Sequence, residues 1–174
     1  MKLWLLDADV VIKFLELGIF DRLVKSHEVH VTPTVVEEVK YFYRDDEQVF
    51  VDFRREYIAT GLVRESSATA DEIKNILLRI PPLKRQVIHD GELESLAVLV
   101  REMDLILCTF DSVAIRSLPF LGVDERAISA ERLLQVSGLT LSPAHKLDPR
   151  LSEDYFRNNL EQGRCEYVLA FGRK

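Results

Sequence analysis

Two short apolar runs restrict this chain most, each followed by an aspartate and placed towards opposite ends of the sequence: Leu3–Leu6 before Asp7, and residues 105–109 (LILCT) shortly before Asp111. An apolar run with no polar alternation is the pattern of a strand buried on both faces, the condition of a strand inside a parallel sheet. His30 to Thr32 reads as the close of a further strand and Ala127-Ile128 as a last one. Between them the spacing turns helical: in VVIKFLELGIF after Asp9, from Ala70 to Ile80, from Asp90 to about Glu102, from Ser112 to Leu118, from Ala130 to Val136 and from Leu151 to about Leu169. Strands alternating with helices specify an α/β fold whose sheet is covered on both faces.

Stop and start signals sharpen the helices. Thr32-Pro33 offers a hydroxyl N-cap followed by proline in the first turn. The helix it opens is expected to run to about Arg44, with Val35, Val39, Phe42 and Tyr43 as its apolar stripe, Glu38 bordering that stripe and Glu37 on the opposite side. Residues 45–60 continue the amphipathic pattern up to Gly61, and the helix from Ala70 is halted by Pro81-Pro82, so residues 45–80 read as a helical arm.

A length of 174 residues suits one domain. Apolar residues at 47% and charged residues at 30% exclude a disordered or fibrous chain. No apolar run nears the roughly 18 residues that span a bilayer, and acids interrupt the N-terminal apolar stretch at once, so neither a membrane nor a signal peptide is expected. Cys108 and Cys165 form no C-x-x-C pair, which points to a reducing cytoplasm. A net charge of −6 excludes nucleic-acid binding through a broad basic surface, yet leaves a local site, because cations held by acids invert the local field.

Open parallel sheets bind ligands beyond the carboxyl ends of their strands, and Asp7 and Asp111 both stand there. Glu38 and Glu92 lie on helices that border the same rim. Converging carboxylates repel and raise one another's pKa, an arrangement that makes sense when a hard cation such as Mg²⁺ or Mn²⁺ neutralises them. Such an ion activates water and stabilises in-line displacement at phosphorus. Each acid also has a local role open to it: Asp9 and Asp111 as N-caps, and Asp90, Glu92 and Glu94 as acids at the positive end of a helix. The four histidines, His27, His30, His89 and His145, share no ligand spacing. Cys108 and Trp4 read as packing residues.

The blocks LWLLDADVVI at 3–12, TPTVVEEV at 32–39, HDGELESLAVLV at 89–100 and LILCTFD at 105–111 resemble, in order, the four acidic blocks of PIN domains. The resemblance covers roughly residues 2–137 and implies a three-layer α/β/α domain with a central, mainly parallel sheet of about four to five strands, over residues 1–138; residues 139–174, which have no counterpart in the family, read from their helical spacing as a C-terminal helical extension packed on the same domain. It implies a Mg²⁺- or Mn²⁺-dependent ribonuclease, with Asp7, Glu38, Glu92 and Asp111 as catalytic metal ligands and Thr109 as the family's threonine two residues before the last acid. Asp9 stands where Asn or Ser is frequent. Glu92 and Glu94 occupy a place where many members carry one Asp, in the manner of a G-E-x-E subgroup, and both are kept as ligands; the helical wheel favours Glu92. Partners implied are an RNA substrate, an antitoxin protein if the chain is a toxin, and a second copy in a homodimer. Lys13, Lys40, Arg44, Lys84, Arg85 and Arg116 are candidate phosphate contacts, and Phe50, Val51, Phe53 and Tyr57 on the arm a candidate partner surface. Two other readings stay open: a non-catalytic PIN-like module that binds RNA or protein, and a hydrolase of small phosphate esters.

Overall fold

The structure, a computed structural model, describes residues 3–141 and 148–172. His145 and much of the turn-rich stretch expected at residues 139–149 lie outside the described residues. The chain runs β1 (Leu3–Leu6), α1 (Ala8–Glu16), α2 (Phe20–Ser26), β2 (Glu28–Val31), α3 (Pro33–Glu38), β3 (Tyr41–Arg44), β4 (Glu47–Phe50), β5 (Arg64–Glu65) and α4 (Ala70–Arg79). It continues through α5 (Pro82–Arg85), α6 (Asp90–Arg101), β6 (Ile106–Cys108), α7 (Ser112–Leu121), β7 (Ala127–Ile128), α8 (Ala130–Val136) and α9 (Glu153–Phe171).

Five strands form one sheet in the order β5-β2-β1-β6-β7, and every pairing in it is parallel. β1 lies at the centre, with Trp4 beside Val29 of β2 and Ile106 of β6. Strand side chains alternate between faces, so Trp4, Leu6 and Cys108 join the core under α1, α2 and α8, whereas Leu5 and Leu107 join the core under α6 and α7. Both faces are therefore apolar and both are covered, giving the three-layer α/β/α arrangement that the uninterrupted run LWLL required. Among the described residues no helix is long and apolar enough to cross a membrane.

The expected helix from Pro33 to Arg44 ends at Glu38, and the helical arm at residues 45–80 is mostly something else. Residues 41–50 form an antiparallel hairpin in which Tyr41 pairs with Phe50 and Phe42 with Val49. Its two-residue turn, Asp45-Asp46, has φ of 51° and 64°, the left-handed pair that matches the twist of hairpin strands and that aspartate tolerates better than most residues. Phe42 points into the core while Tyr41 and Tyr43 face outward, so this stretch alternates with the period of a strand in place of the expected helical stripe. Beyond the hairpin a single π-helical turn, Arg54–Ile58, buries Tyr57. Phe53 and Tyr57 both pack on Phe20, with ring centroids 5.8 Å and 5.0 Å away, which makes them core rather than partner surface. Phe50 alone of that expected surface stands out, at 75% exposure. Only α4, with its Thr69–Glu72 capping box, answers to the helical part of the arm.

The final helix, α9, lies on α7. Gly163 is what lets them meet: a β-carbon there would fall 2.6 Å from the backbone oxygen of Arg116. Glu166 of α9 accepts from Lys84 at 2.7 Å and from Arg116, tying α9 to α5 and α7 at once. At the other end, Ser129 Oγ donates to Glu153 at 2.6 Å and the Glu153 backbone N–H donates to Glu131 at 2.7 Å.

Candidate functional site

The three central strands β1, β2 and β6 point the same way, so their carboxyl ends open on one rim. Asp7 ends β1 and caps α1: its Oδ1 accepts from the Ala8 backbone N–H at 2.9 Å and its Oδ2 from the Thr109 hydroxyl at 2.9 Å. Only 7% of it is exposed. Burial pushes its carboxyl pKa up to about 7, with the charges of Glu92 and Asp9 adding to the rise and the Thr109 and Ala8 hydrogen bonds opposing it. Thr109 is buried just past β6, and its hydroxyl oxygen also accepts from the Asp111 backbone N–H at 3.1 Å. One hydroxyl thus fastens the first acid to the chain that carries the last.

Asp111 caps α7, its Oδ1 accepting from the Ala114 backbone N–H at 2.7 Å. Glu92, in the first turn of α6, accepts from the His89 backbone N–H at 2.7 Å. Half-burial raises its pKa, and the Asp111 charge raises it further. Glu38, the last residue of α3, holds its carboxylate against the start of α6, where a β-carbon on Gly91 would meet its oxygens at 3.6 Å and 3.7 Å. Burial raises its pKa too, followed by the charge of Asp9, with Asp90 adding and His89 opposing. Asp9, exposed in the first turn of α1, therefore acts on both Asp7 and Glu38.

The five acids Asp7, Asp9, Glu38, Glu92 and Asp111 are thus linked pair by pair through their fields. They remain neighbours rather than a finished cage: among the described residues no three His, Cys, Asp or Glu side chains close on a point that could hold a metal ion. Three of the five spend one oxygen on a helix-cap N–H, which fixes the direction each carboxylate faces.

Glu94 stands apart. It is 8% exposed, and its carboxylate accepts from the Thr34 hydroxyl at 2.7 Å, the Thr34 backbone N–H at 3.2 Å and the Ala68 backbone N–H at 3.4 Å. Three donors satisfy the buried charge and clamp the start of α3, the helix that ends in Glu38, onto α6. The two glutamates of the G-E-x-E stretch therefore face different surroundings, Glu92 towards Asp7 and Asp111, Glu94 towards α3.

The expected phosphate contacts divide in the same way. Arg44 donates to the Leu15 carbonyl, Arg85 to the Ile80 carbonyl, and Lys84 and Arg116 to Glu166. Lys13 lines a cleft with Asp9, beside the acids. The other residues of that cleft, Ile12, Glu16, Phe110, Asp148, Arg150 and Leu151, are not among the candidates read from the sequence. Phe110 sits between Thr109 and Asp111 and its place was legible there; Arg150 follows a turn-rich stretch distant in sequence, where no local pattern links it to the acids.

Comparison with family models, with curated proteins and with solved structures finds no match in any of the three.

Proposed function

We propose that the chain is a metal-dependent phosphodiesterase of the PIN type, a ribonuclease whose acids hold Mg²⁺ or Mn²⁺. The observation that carries this reading is the meeting of Asp7, Glu92 and Asp111, from three separate stretches of sequence, at the carboxyl ends of β1 and β6. Burial, with the charge of a neighbouring acid added, raises the pKa of Asp7 and of Glu92, and a hard divalent cation, which takes oxygen donors, would relieve that repulsion. Asp7, Glu92 and Asp111 would hold it, with Glu38 and Asp9 on the open side. The bound ion supplies activation of water and charge neutralisation at a phosphoryl oxygen. The chain's own groups do the positioning: Thr109 orients Asp7 and Asp111, the α6 and α7 caps orient Glu92 and Asp111, and Glu94 keeps α3 in place so that Glu38 reaches the rim.

Replacing Asp7 or Asp111 by Asn is expected to lower Mn²⁺-dependent cleavage of single-stranded RNA by a factor of at least about 10² with the fold retained by circular dichroism. Cleavage at the parental rate in both variants would defeat the assignment. The reading extends to a cytoplasmic protein, which the unpaired cysteines Cys108 and Cys165 suit, and to a toxin with an antitoxin or a second copy of the chain on its surface, for which the exposed Phe50, Leu83 and Leu169 offer apolar contact.

A non-catalytic RNA- or protein-binding module is the second reading, favoured by the helix-cap duty that Asp7, Glu92 and Asp111 each perform. Calorimetric titration separates the two. Mn²⁺ binding that disappears in Asp7→Asn supports the enzyme, and no heat at millimolar Mn²⁺ supports the module.

A further inference from the structure

A cleft of about 170 Å³ adjoins the acids, lined by Asp9 and Lys13 of α1, by Phe110, and by Asp148, Arg150 and Leu151 from the segment that leads into α9. Arg150 stands with its guanidinium 5.2 Å from the centre of the Phe110 ring. Asp148 accepts from its Nε at 3.3 Å and its Nη2 at 2.9 Å, so one edge of the fork is held and the plane of the group is set. Among the described residues the remaining edge, which includes Nη1, has no hydrogen-bond partner and is open to a second anion. Lys13, one turn beyond Asp9 on α1, makes an ion pair with Glu16 at 2.8 Å and brings a second cation to the same cleft.

The geometry points to Lys13 and Arg150 as positioning residues that hold a phosphate of the substrate next to the one undergoing cleavage. This rests on the ribonuclease reading and deepens it by giving a second phosphate of the RNA chain a place, one that a small ester with a single phosphate would leave unused. Each part has a physical reason. The acids and their cation act at one phosphate, and the neighbouring phosphate of a polynucleotide carries a charge that needs a cationic partner within reach. Arginine meets a phosphate oxygen pair through its planar fork, and the Phe110 ring lies on one side of that group. Phe110 adjoins Asp111 in the chain, so the arginine over its ring lies near the acids. The lining carries three acids, Asp9, Glu16 and Asp148, against the two cations, so it exerts no general attraction for nucleic acid and leaves a single oriented contact as the way a phosphate is held.

The test compares a dinucleoside monophosphate, which has a single phosphodiester, with a single-stranded RNA oligonucleotide, both with Mn²⁺. The parental protein is expected to show a KM about tenfold lower for the oligonucleotide, a difference of the size one charge-assisted contact provides. Arg150→Ala and Lys13→Ala should each remove most of that gap with kcat changed by less than about threefold, and Arg150→Lys should restore part of it. The salt dependence of oligonucleotide KM should flatten in Arg150→Ala by about 0.7 in log–log slope. Lys25→Ala, which removes a cation from the last turn of α2 at the far rim of the sheet, should keep the gap. Equal parental KM values for the two substrates, or a gap that persists in both alanine variants, would overturn this assignment while leaving the phosphodiesterase reading intact. Cleavage of neither substrate by the parental protein would overturn the phosphodiesterase reading, and this assignment with it.

Discussion

Asp7 is a carboxylate that the fold holds against its own ionisation. In the unfolded chain it titrates near 3.8 and in the fold at about 7, with burial as the main cause. The protonated form is the one folding favours, so the contribution is fully present below the unfolded value and is withdrawn as pH rises through the folded one. An ionised Asp7 thus costs the fold on the order of 4 kcal/mol at pH 8, before relaxation. Asp7→Asn removes the charge, although its amide can no longer accept from both Ala8 and Thr109. We expect this variant to be more stable than the parent by about 1–3 kcal/mol at pH 8 and nearly equal to it at pH 4. Urea denaturation at the two pH values measures this, and a parental protein whose stability is flat between them would contradict the burial argument. A buried carboxylate with this cost is compatible with the proposed metal site, where a cation would offset it. Glu94 is the counter-example, a buried acid with donors on both oxygens that fixes two helices together.

At the level of elements, the acids reach one rim because three strands run parallel and the helices that follow or precede them begin or end there. Glu38 arrives there because α3 stops after it, the chain turning into β3 with Lys40 N–H donating to the Glu38 carbonyl at 2.9 Å. Had the helix continued to Arg44, as the spacing of Val35, Val39 and Phe42 suggests, Glu38 would lie mid-helix. The hairpin was obscured because Asp-Asp is a weaker turn signal than Asn-Gly, and because Phe42 and Val49 are buried by pairing that is absent from the local sequence. The α7–α9 contact rests on a single missing side chain. Gly163→Ala would drive a methyl group into the Arg116 backbone, which cannot swing aside as a side chain can. We expect a loss of about 2–4 kcal/mol, far beyond the helix-propensity gain of alanine, read as a fall in melting temperature of roughly 4–16 °C. An unchanged or raised melting temperature would show that the two helices can separate at little cost.

The molecule as a whole is a sheet between two cores, with a net charge of −6. If the acids of the rim hold a cation, binding must displace the proton that Asp7 retains up to about pH 7. Mn²⁺ affinity is then expected to rise about tenfold between pH 6 and pH 8, following the ionised fraction of Asp7, and to level off above. At saturating Mn²⁺ the melting temperature should rise in the parent and stay fixed in Asp7→Asn. Calorimetry at the two pH values decides it, and an affinity independent of pH would remove Asp7 from the set of ligands.

Sequence alone was enough for the sheet and for several helix boundaries, though not for the 41–50 hairpin, whose alternation resembles a helical stripe. The uninterrupted apolar runs required a sheet covered on both faces, Thr32-Pro33 and Pro81-Pro82 set helix boundaries, and the apolar runs before Asp7 and Asp111 put both acids just past strand ends. Tertiary structure decided what depends on neighbours from elsewhere in the chain. Burial, and not residue type, set Asp7 at about 7. Donors on Thr34 and Ala68 turned Glu94 away from the acids that Glu92 faces, and a ring beside Asp111 brought in Arg150 from the chain's other end. Periodicity records which side of an element is apolar. It carries no record of which distant group will stand opposite, and both pKa and hydrogen bonding are set by that group.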